Sequence, residues 1–229
     1  MKQFISIALL FAISLLWQLS FLSVATIIIT IPGLSLAKET SPSPKNPMDA
    51  RVQERFLAVY SDLCDEVATG PDIAKVRPDI YQVFFRVEYQ DLTQPDLEYR
   101  LYEYPCYGGA YNFSSVYFSA DEYGEIEQVF FAFPNYEVTY RDKEQTIVEQ
   151  ITLDGFYAWE SLTNPGFDQK SMTLYSNNKW RGLADASSSG RWQFKQGRWL
   201  LKSFDIDPTY DGKVSMIRIF GKGEPFDNE

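Results

Sequence analysis

The sequence predicts a mainly β protein, an antiparallel β-sandwich or barrel with one N-terminal amphipathic helix. Beyond Pro78, the residues Tyr, Phe, Val, Ile, Thr and Trp occur in short runs that Gly, Asn, Asp and Pro separate, a composition typical of antiparallel strands and their turns. Segments 121–124 (Asp-Glu-Tyr-Gly) and 195–197 (Lys-Gln-Gly) each connect two aromatic runs, as hairpin turns do. No second helical stretch matches the one before residue 70 in strength.

Residues 1–37 predict an export signal. Lys2 is followed by a long uncharged apolar run, the pair Pro32-Gly33 and the small-residue pattern that ends at Ala37. This order is typical of a secretory signal peptide cut before Lys38. The apolar run is also long enough to span a bilayer, so an uncleaved N-terminal membrane anchor is the alternative. Both interpretations place the remainder in the periplasm or outside the cell, with membrane contact only through an uncleaved segment.

Residues 38–48 read as a Pro/Ser linker, and residues 49–229 as a single mainly β domain that begins with the helix. The helix is predicted over 49–68, with Asp49 as its cap and Gly70-Pro71 beyond its end. Apolar side chains at helical spacing predict one face docked on the domain: Val52, Phe56, Val59, Tyr60, Leu63 and Val67.

Ten strands are predicted after the helix. Each is a run of β-branched and aromatic residues bounded by turn residues. They cover 80–89, 97–104, 113–120, 126–133, 136–141, 145–153, 170–176, 190–195, 198–206 and 214–220.

The composition excludes several classes of function. The chain contains no histidine, which rules out a Ser-His-Asp triad, a Cys-His pair and a His-ligated zinc. Its net charge is −10, and removal of residues 1–37 takes away one lysine and no acid, leaving −11. Such a surface repels phosphate backbones, so nucleic acid is not an expected partner. No metal, cofactor or catalytic residue is predicted.

Cys64 and Cys106 are the two cysteines of the chain, and both lie in the exported part. An even count in an oxidising compartment favours a disulfide between them. A reactive Cys106 thiolate is the alternative, but it would have no histidine partner.

Two glycine-containing loops carry a family resemblance. Segment 105–112 (Pro-Cys-Tyr-Gly-Gly-Ala-Tyr-Asn), segment 179–185 (Lys-Trp-Arg-Gly-Leu-Ala-Asp) and the hairpin after Gly190 resemble the exported bacterial family named domain of unknown function 1176. The resemblance implies an exported protein and brings no substrate or catalytic residue. The chain departs from the family pattern at Ala184, where glycine is usual, and at Ala186, where cysteine is usual, so a family disulfide in that loop must be absent.

The same loops supply the candidate binding residues. Glycines let a backbone turn tightly or approach a ligand, and Asn112 and Asp185 can hold their own turns, with Arg181 as a partner for Asp185. The functional hypothesis is that both loops present their side chains at one end of the domain to a protein or glycan of the cell envelope. The candidates are Tyr107, Tyr111, Asn112, Trp180, Arg181 and Asp185.

Two other functions stay open beside a non-enzymatic binding module. One is a carboxylate-dependent hydrolase acting on glycans, since such an enzyme needs two acids and aromatic platforms near a cleft. Its candidate acids are Asp121, Glu122, Glu125, Asp154 and Glu160, and its candidate platforms are Tyr157, Trp159 and Trp180. The other is a purely structural role in the envelope. A cleft with converging carboxylates would favour the enzyme, and an aromatic surface without them would favour binding.

Overall fold

The computed structural model describes residues 46–223, and these belong to one compact unit. The predicted signal or anchor over 1–37 and most of the linker over 38–48 lie outside the described residues. Within the described range, no helix has both the length and the apolar character that crossing a membrane requires.

The described residues form two α-helices, a short 3₁₀-helix and twelve strands. The helices are Pro47–Tyr60 (α1), Glu66–Thr69 (α2) and the 3₁₀-helix Ile73–Lys75. The strands are Asp79–Phe85 (β1), Leu97–Gly108 (β2), Phe113–Asp121 (β3), Ile126–Gln128 (β4), Phe131–Tyr140 (β5), Val148–Trp159 (β6), Ser161–Thr163 (β7), Gly166–Asp168 (β8), Thr173–Lys179 (β9), Ser187–Lys195 (β10), Arg198–Asp207 (β11) and Ile217–Gly221 (β12).

Every strand pair is antiparallel, and the strands form two five-stranded sheets and a separate hairpin. The first sheet has the order β1-β2-β3-β4, with β7 also paired to β3. The second sheet has the order β12-β11-β10-β9-β8, and β5 pairs with β6 alone. We call the β5–β6 hairpin the arm. The sheets are open, and no closed barrel occurs among residues 46–223, so the predicted mainly β fold is confirmed in its sandwich form.

Two cores lie on opposite faces of the first sheet, because side chains alternate along its strands. Tyr102 and Tyr104 on β2 face α1, where the ring of Phe56 stacks on Tyr104 with centroids 4.0 Å apart. Leu101 faces the other way and joins the second core, which the second sheet and the arm complete around Trp192. The order of layers is therefore helix, first sheet, then second sheet with the arm.

The helix is shorter than predicted. It begins at Pro47, capped by the side chain of Asn46 rather than by Asp49, and it ends at Tyr60 instead of continuing to residue 68. Asp65 ends the helical path, because its side chain caps α2 and also accepts a hydrogen bond from the Gly108 backbone N–H. Leu63 and Val67, which lie beyond the end of α1, are consequently exposed, and Val59 is exposed although it lies within α1.

The strand predictions fail mainly around the arm. The predicted strand 126–133 is divided into β4 and β5, and β5 then continues through Pro134, where a break was expected. Proline is tolerated there because β5 pairs with β6 alone, so the missing backbone N–H breaks no hydrogen bond to a second neighbouring strand. The three-residue strands β7 and β8 were missed, since they are too short to show a period.

Both predicted hairpin turns are present. The Asp121 carboxylate accepts hydrogen bonds from the backbone N–H groups of Tyr123 and Glu125 in the β3–β4 turn. Gln196 and Gly197 both have positive φ, 51° and 80°, which is the geometry of a type I′ turn between β10 and β11.

Candidate functional site

The predicted disulfide between Cys64 and Cys106 is confirmed, with Cα atoms 4.4 Å apart. It ties the segment after α1 to the end of β2. Asp65 strengthens the link, because its backbone N–H donates to the Cys106 carbonyl at 2.9 Å and its carboxylate accepts from the Gly108 N–H at 2.9 Å. A Cβ at Gly108 would lie 2.7 Å from the Val67 side chain and 3.0 Å from the Ala68 backbone nitrogen, so a larger residue would force this contact to shift.

Asn112 joins the two glycine-containing loops. Its Nδ2 donates to the Asn178 Oδ1 at 2.9 Å and to the Lys179 carbonyl at 2.8 Å. Its Oδ1 accepts from the Lys179 N–H at 3.2 Å and from the Asn164 Nδ2 at 2.9 Å. The amide therefore uses all four of its hydrogen-bonding positions inside the protein, and its role is to hold the β2–β3 loop against the end of β9.

Asp185 organises the second loop. It is almost fully buried and accepts hydrogen bonds from the Arg181 guanidinium, through Nε at 2.6 Å and through Nη2, and from the Gly212 N–H at 2.8 Å. The hydrogen bond from Arg181 holds the pKa of the Asp185 carboxyl well below its usual range. Arg181 also lies over the Tyr210 ring, 5.2 Å from its centroid. The pair connects the β9–β10 loop to the β11–β12 loop.

The two loops that carry the six candidate residues adjoin, but the side chains of these residues do not all face one surface. Tyr111 is partly exposed and lies beside Gly182, so the two loops adjoin. Tyr107 packs against the core below α1, whereas Trp180 packs against the core of the second sheet. A binding role for these residues stays a prediction.

A cavity of about 300 Å³ lies between the arm and the second sheet. We call it the arm cavity. Six aromatic residues line it, four from the arm and two from the second sheet and its β9–β10 loop: Phe133, Tyr136, Tyr157, Trp159, Trp180 and Phe204. Five polar residues lie among them, Ser161, Thr163, Ser176, Asn178 and Ser188, and Pro134 and Gly190 complete the lining. The arm, β7 and three strands of the second sheet thus meet at one site.

Two small residues of β10, Ser188 and Gly190, line the cavity. Ser187, Ser188, Ser189 and Gly190 are all buried. The Trp192 side chain lies over Gly190, where even one methyl group would overlap its ring. The Trp192 indole N–H donates to the Ala132 carbonyl at 2.9 Å, which fastens the arm to the second sheet beside the cavity.

The aromatic rings of the cavity are held in place, and part of their surface is open. Trp159 and Tyr157 are each 47% exposed. The Trp159 indole N–H donates to the Ser161 hydroxyl at 3.0 Å, and that of Trp180 donates to the Ser188 hydroxyl at 3.4 Å. Burial raises the pKa of Tyr136 to about 12, so this phenol is a neutral hydrogen-bonding group at physiological pH.

No lysine, arginine, aspartate or glutamate lines the arm cavity. The three aromatic platforms considered for a hydrolase, Tyr157, Trp159 and Trp180, are all in its wall, but none of the five candidate acids is. Among residues 46–223, no three acidic or cysteine side chains are grouped in a way that could hold a metal ion. The geometry therefore offers surfaces for contact and no pair of carboxylates for hydrolysis at this site.

Sequence reasoning missed the cavity as a site. Ser188 and Gly190 of β10 were a local signal, because small residues on one face of a strand leave room for a ring or a ligand.

Fold and site together define a two-sheet antiparallel β domain with an aromatic, uncharged cavity under a β-hairpin. The sequence matches the family described as Protein of unknown function (DUF1176) over residues 86–214, and the chain belongs to that family. The match includes both glycine-containing loops and every residue of the arm cavity. No curated protein and no solved structure matches the chain.

Proposed function

We propose that the protein is an exported, non-enzymatic binding module of the cell envelope that holds part of an uncharged partner, a glycan or a protein segment, in the arm cavity. The observation that supports this proposal is the lining itself, which combines fixed aromatic faces with hydroxyl and amide groups and has no charged side chain. Concave sites of this kind bind ligands by apolar contact and use a few polar groups for orientation.

Export is supported by two observations. Residues 1–37 have the order of a signal peptide or anchor, and Cys64 and Cys106 form a disulfide, a bond that persists in oxidising compartments and is rare in the cytosol. Sequencing of the mature N-terminus tests the point. A chain that begins at Lys38 supports cleavage, and a chain that keeps Met1 supports the anchor.

The exclusion of charged ligands follows from the cost of burying an unpaired ion. A carboxylate or phosphate that entered the arm cavity would lose its water and find no basic partner in the lining. An uncharged group loses less on entry and can exchange its water for the serine, threonine and asparagine side chains.

Tryptophan fluorescence provides the test, because Trp159 and Trp180 are both in the wall. The purified protein is titrated with two uncharged panels, neutral oligosaccharides and short neutral peptides, and with their carboxylated or phosphorylated counterparts. The proposal expects saturable binding from an uncharged panel that Trp159→Ala abolishes. Phe156→Ala is the matched control, because Phe156 is on the same strand with similar exposure but does not line the cavity.

Three outcomes would contradict the proposal. The first is the absence of binding from every uncharged probe, which would favour a purely structural role. The second is preferential binding of the charged counterparts. The third is cleavage of the neutral oligosaccharides, detected by chromatography of the same mixtures. This result would favour the carboxylate-dependent hydrolase instead.

A further inference from the structure

We infer that the outer face of the second sheet is an anion-binding surface, and that the acidic segment 224–229 of the same chain occupies it. Segment 224–229 reads Glu-Pro-Phe-Asp-Asn-Glu and lies outside the described residues. The inference concerns a different part of the domain from the arm cavity, so it does not depend on the ligand proposed there.

The outer face is the side of the second sheet that points away from the first sheet. On β10, Trp192 is fully buried in the second core, and the Phe194 ring centroid lies 4.5 Å from that of Tyr99 on β2. Because side chains alternate along a strand, Arg191 and Lys195 point to the opposite side. The outer face therefore carries basic residues of β10.

The neighbouring strand β11 adds two more basic residues to this face. Arg198 pairs with Lys195 across the hairpin, and Lys202 is the extra residue where the register of β10 and β11 shifts. Like charges directly opposite each other destabilise a sheet. An anion held at the Lys195–Arg198 pair would remove this repulsion, so the pair is a natural binding point for a carboxylate.

These cations have no acidic partner in the part of the chain that the structure describes. Lys195, Arg198 and Lys202 are exposed, and none of them forms an ion pair with an acid among residues 46–223. The chain as a whole has a net charge of −10, so a basic face is an exception on its surface.

A groove of about 410 Å³ lies beside the Lys195–Arg198 pair, between the β10–β11 turn and the loop after β1. Leu200 and Tyr89 give the groove apolar surface, and both side chains are exposed. Glu88 is the acid in its lining, and it forms no ion pair with either cation. The groove leaves room for a chain segment next to the two cations.

The direction of β12 leads the chain toward this face. β12 runs antiparallel to β11, and its last residue, Gly221, pairs with Ser203. A chain that continues in this direction passes Lys202 and then Arg198, which is about 17 Å from Ser203 along the strand. Six extended residues span about 20 Å, so segment 224–229 is long enough to reach the far end of the face.

Arg218 fixes where the segment starts. Its guanidinium pairs with the carboxylate of Asp205, which points to the outer face because it lies between two core residues of β11. The Nη1 of Arg218 also donates to the carbonyl groups of Lys222 and Gly223, at 2.7 and 3.2 Å. The chain is therefore bent toward the outer face just before residue 224.

The composition of the segment matches the face. It offers three carboxylates, Glu224, Asp227 and Glu229, and its aromatic residue, Phe226, suits the exposed Leu200 beside the cations. Exposed ion pairs are individually weak. Attachment to the same chain compensates, because a short tether gives an effective concentration of about millimolar at a nearby site. The segment would shield the face from other anions and give way to a more highly charged one.

Lysine acetylation of the purified full-length protein tests the contact, because an amine held against a carboxylate reacts more slowly than one in water. Wild type is compared with a neutral-segment variant, Glu224→Gln/Asp227→Asn/Glu229→Gln. The matched control variant, Glu54→Gln/Asp62→Asn/Glu66→Gln, makes the same change of charge at exposed acids of the helical layer, on the other side of the first sheet.

Mass spectrometry of the peptides gives the rate at each lysine. Lys195 and Lys202 should react several-fold faster in the neutral-segment variant than in wild type or the control variant, and Lys75 of the 3₁₀-helix should not change. The difference should disappear in about 1 M salt, where the screening length is about 3 Å. Equal rates at Lys195 and Lys202 in all three proteins at low salt would overturn the inference.

Carbodiimide cross-linking of an equal mixture of ¹⁵N-labelled and unlabelled protein shows which molecule supplies the carboxylates. Links from segment 224–229 to Lys195 or Lys202 should join peptides with the same isotope label. Links that join one labelled and one unlabelled peptide would place the segment on a second copy and overturn the inference. Links from the segment to Lys75 alone would also overturn it.

Discussion

Removal of the Cys64–Cys106 disulfide is expected to destabilise the domain by about 4 kcal/mol. The two cysteines are 42 positions apart, so the bond closes a loop of 43 residues in the unfolded chain. The chain-entropy relation gives a loss of about 13 cal/mol/K for a loop of this length, or about 4 kcal/mol at 25 °C. Because Cys106 is fully buried, the double variant Cys64→Ala/Cys106→Ala also loses sulfur packing, which adds about 1 kcal/mol.

The structure shows which part of the domain depends on this bond. Between α1 and the 3₁₀-helix, α2 contains no buried residue and Leu63 and Val67 are exposed. Apart from the disulfide, the Asp65 hydrogen bonds to β2 hold this segment in place. Without the bond, we expect local opening of residues 61–75 at a lower free energy than global unfolding.

Urea unfolding followed by tryptophan fluorescence measures the effect. Oxidised wild type, reduced wild type and the double alanine variant are compared, and reduced wild type and the variant should agree within about 1 kcal/mol. For a domain of this size, a loss of 4 kcal/mol corresponds to a fall of roughly 8–16 °C in melting temperature. Unfolding free energies of oxidised and reduced wild type that differ by less than 1 kcal/mol, with equal slopes, would refute the entropic account.

Three further predictions concern single residues. Gly108→Ala should lower the unfolding free energy by about 1–3 kcal/mol in urea titrations, because the new methyl group overlaps Val67; Gly166→Ala, where the space is open, is its control. Asp185→Asn should lower the melting temperature at pH 7 and should lower it much less at pH 2. The reason is that a carboxyl whose pKa is depressed in the folded state stabilises the fold above its ordinary pKa, and this stabilisation is lost as the pH falls toward the folded-state pKa. Burial raises the pKa of Glu103, so its contribution to stability depends on pH in the opposite direction. Wild type should lose stability as the pH rises from the unfolded pKa of about 4.5 through the higher pKa of the folded state. Glu103→Gln should remove that loss, as measured by melting temperatures across pH 4–8. Equal melting temperatures of wild type and Glu103→Gln throughout that range would contradict the assignment.

Local chemistry made part of the fold predictable. The two hairpin turns were found because their side chains or backbone preferences define the turn without help from the rest of the chain. The disulfide was found because an exported chain with two cysteines allows one pairing. The β class followed from composition over many residues.

The end of α1 was not predictable, because its cause is not local. The apolar period continues through Leu63 and Val67, so the sequence favours a helix to residue 68. The bonds that stop it join Cys64 and Asp65 to residues about 40 positions later. The hydrophobic period of the sequence shows the apolar spacing but not these long-range bonds.

The arm cavity was only partly predictable for the same reason. Tyr157, Trp159 and Trp180 were recognised as aromatic platforms, since their residue type is enough to suggest a contact surface. Whether they line the same cavity depends on how the arm folds over the second sheet, which no local sequence pattern indicates. The acids were grouped with them by proximity in the sequence, and the fold places those acids outside the lining.

The pairing of β4 and β7 with β3 has a consequence for how the domain can vary. On β3, Phe118 pairs with Gln128 of β4, and Val116 pairs with Ser161 of β7. Between them, the Val129 N–H donates to the Tyr117 carbonyl oxygen. The two short strands are therefore one edge strand in continuous register, into which residues 130–160 are inserted. The exposed outer residues of the insert can change while both sheets keep their pairing, whereas Phe131, which is fully buried in the second core, is held by that packing. A chain of this design can acquire a deeper, shallower or differently lined cavity by variation in one contiguous stretch.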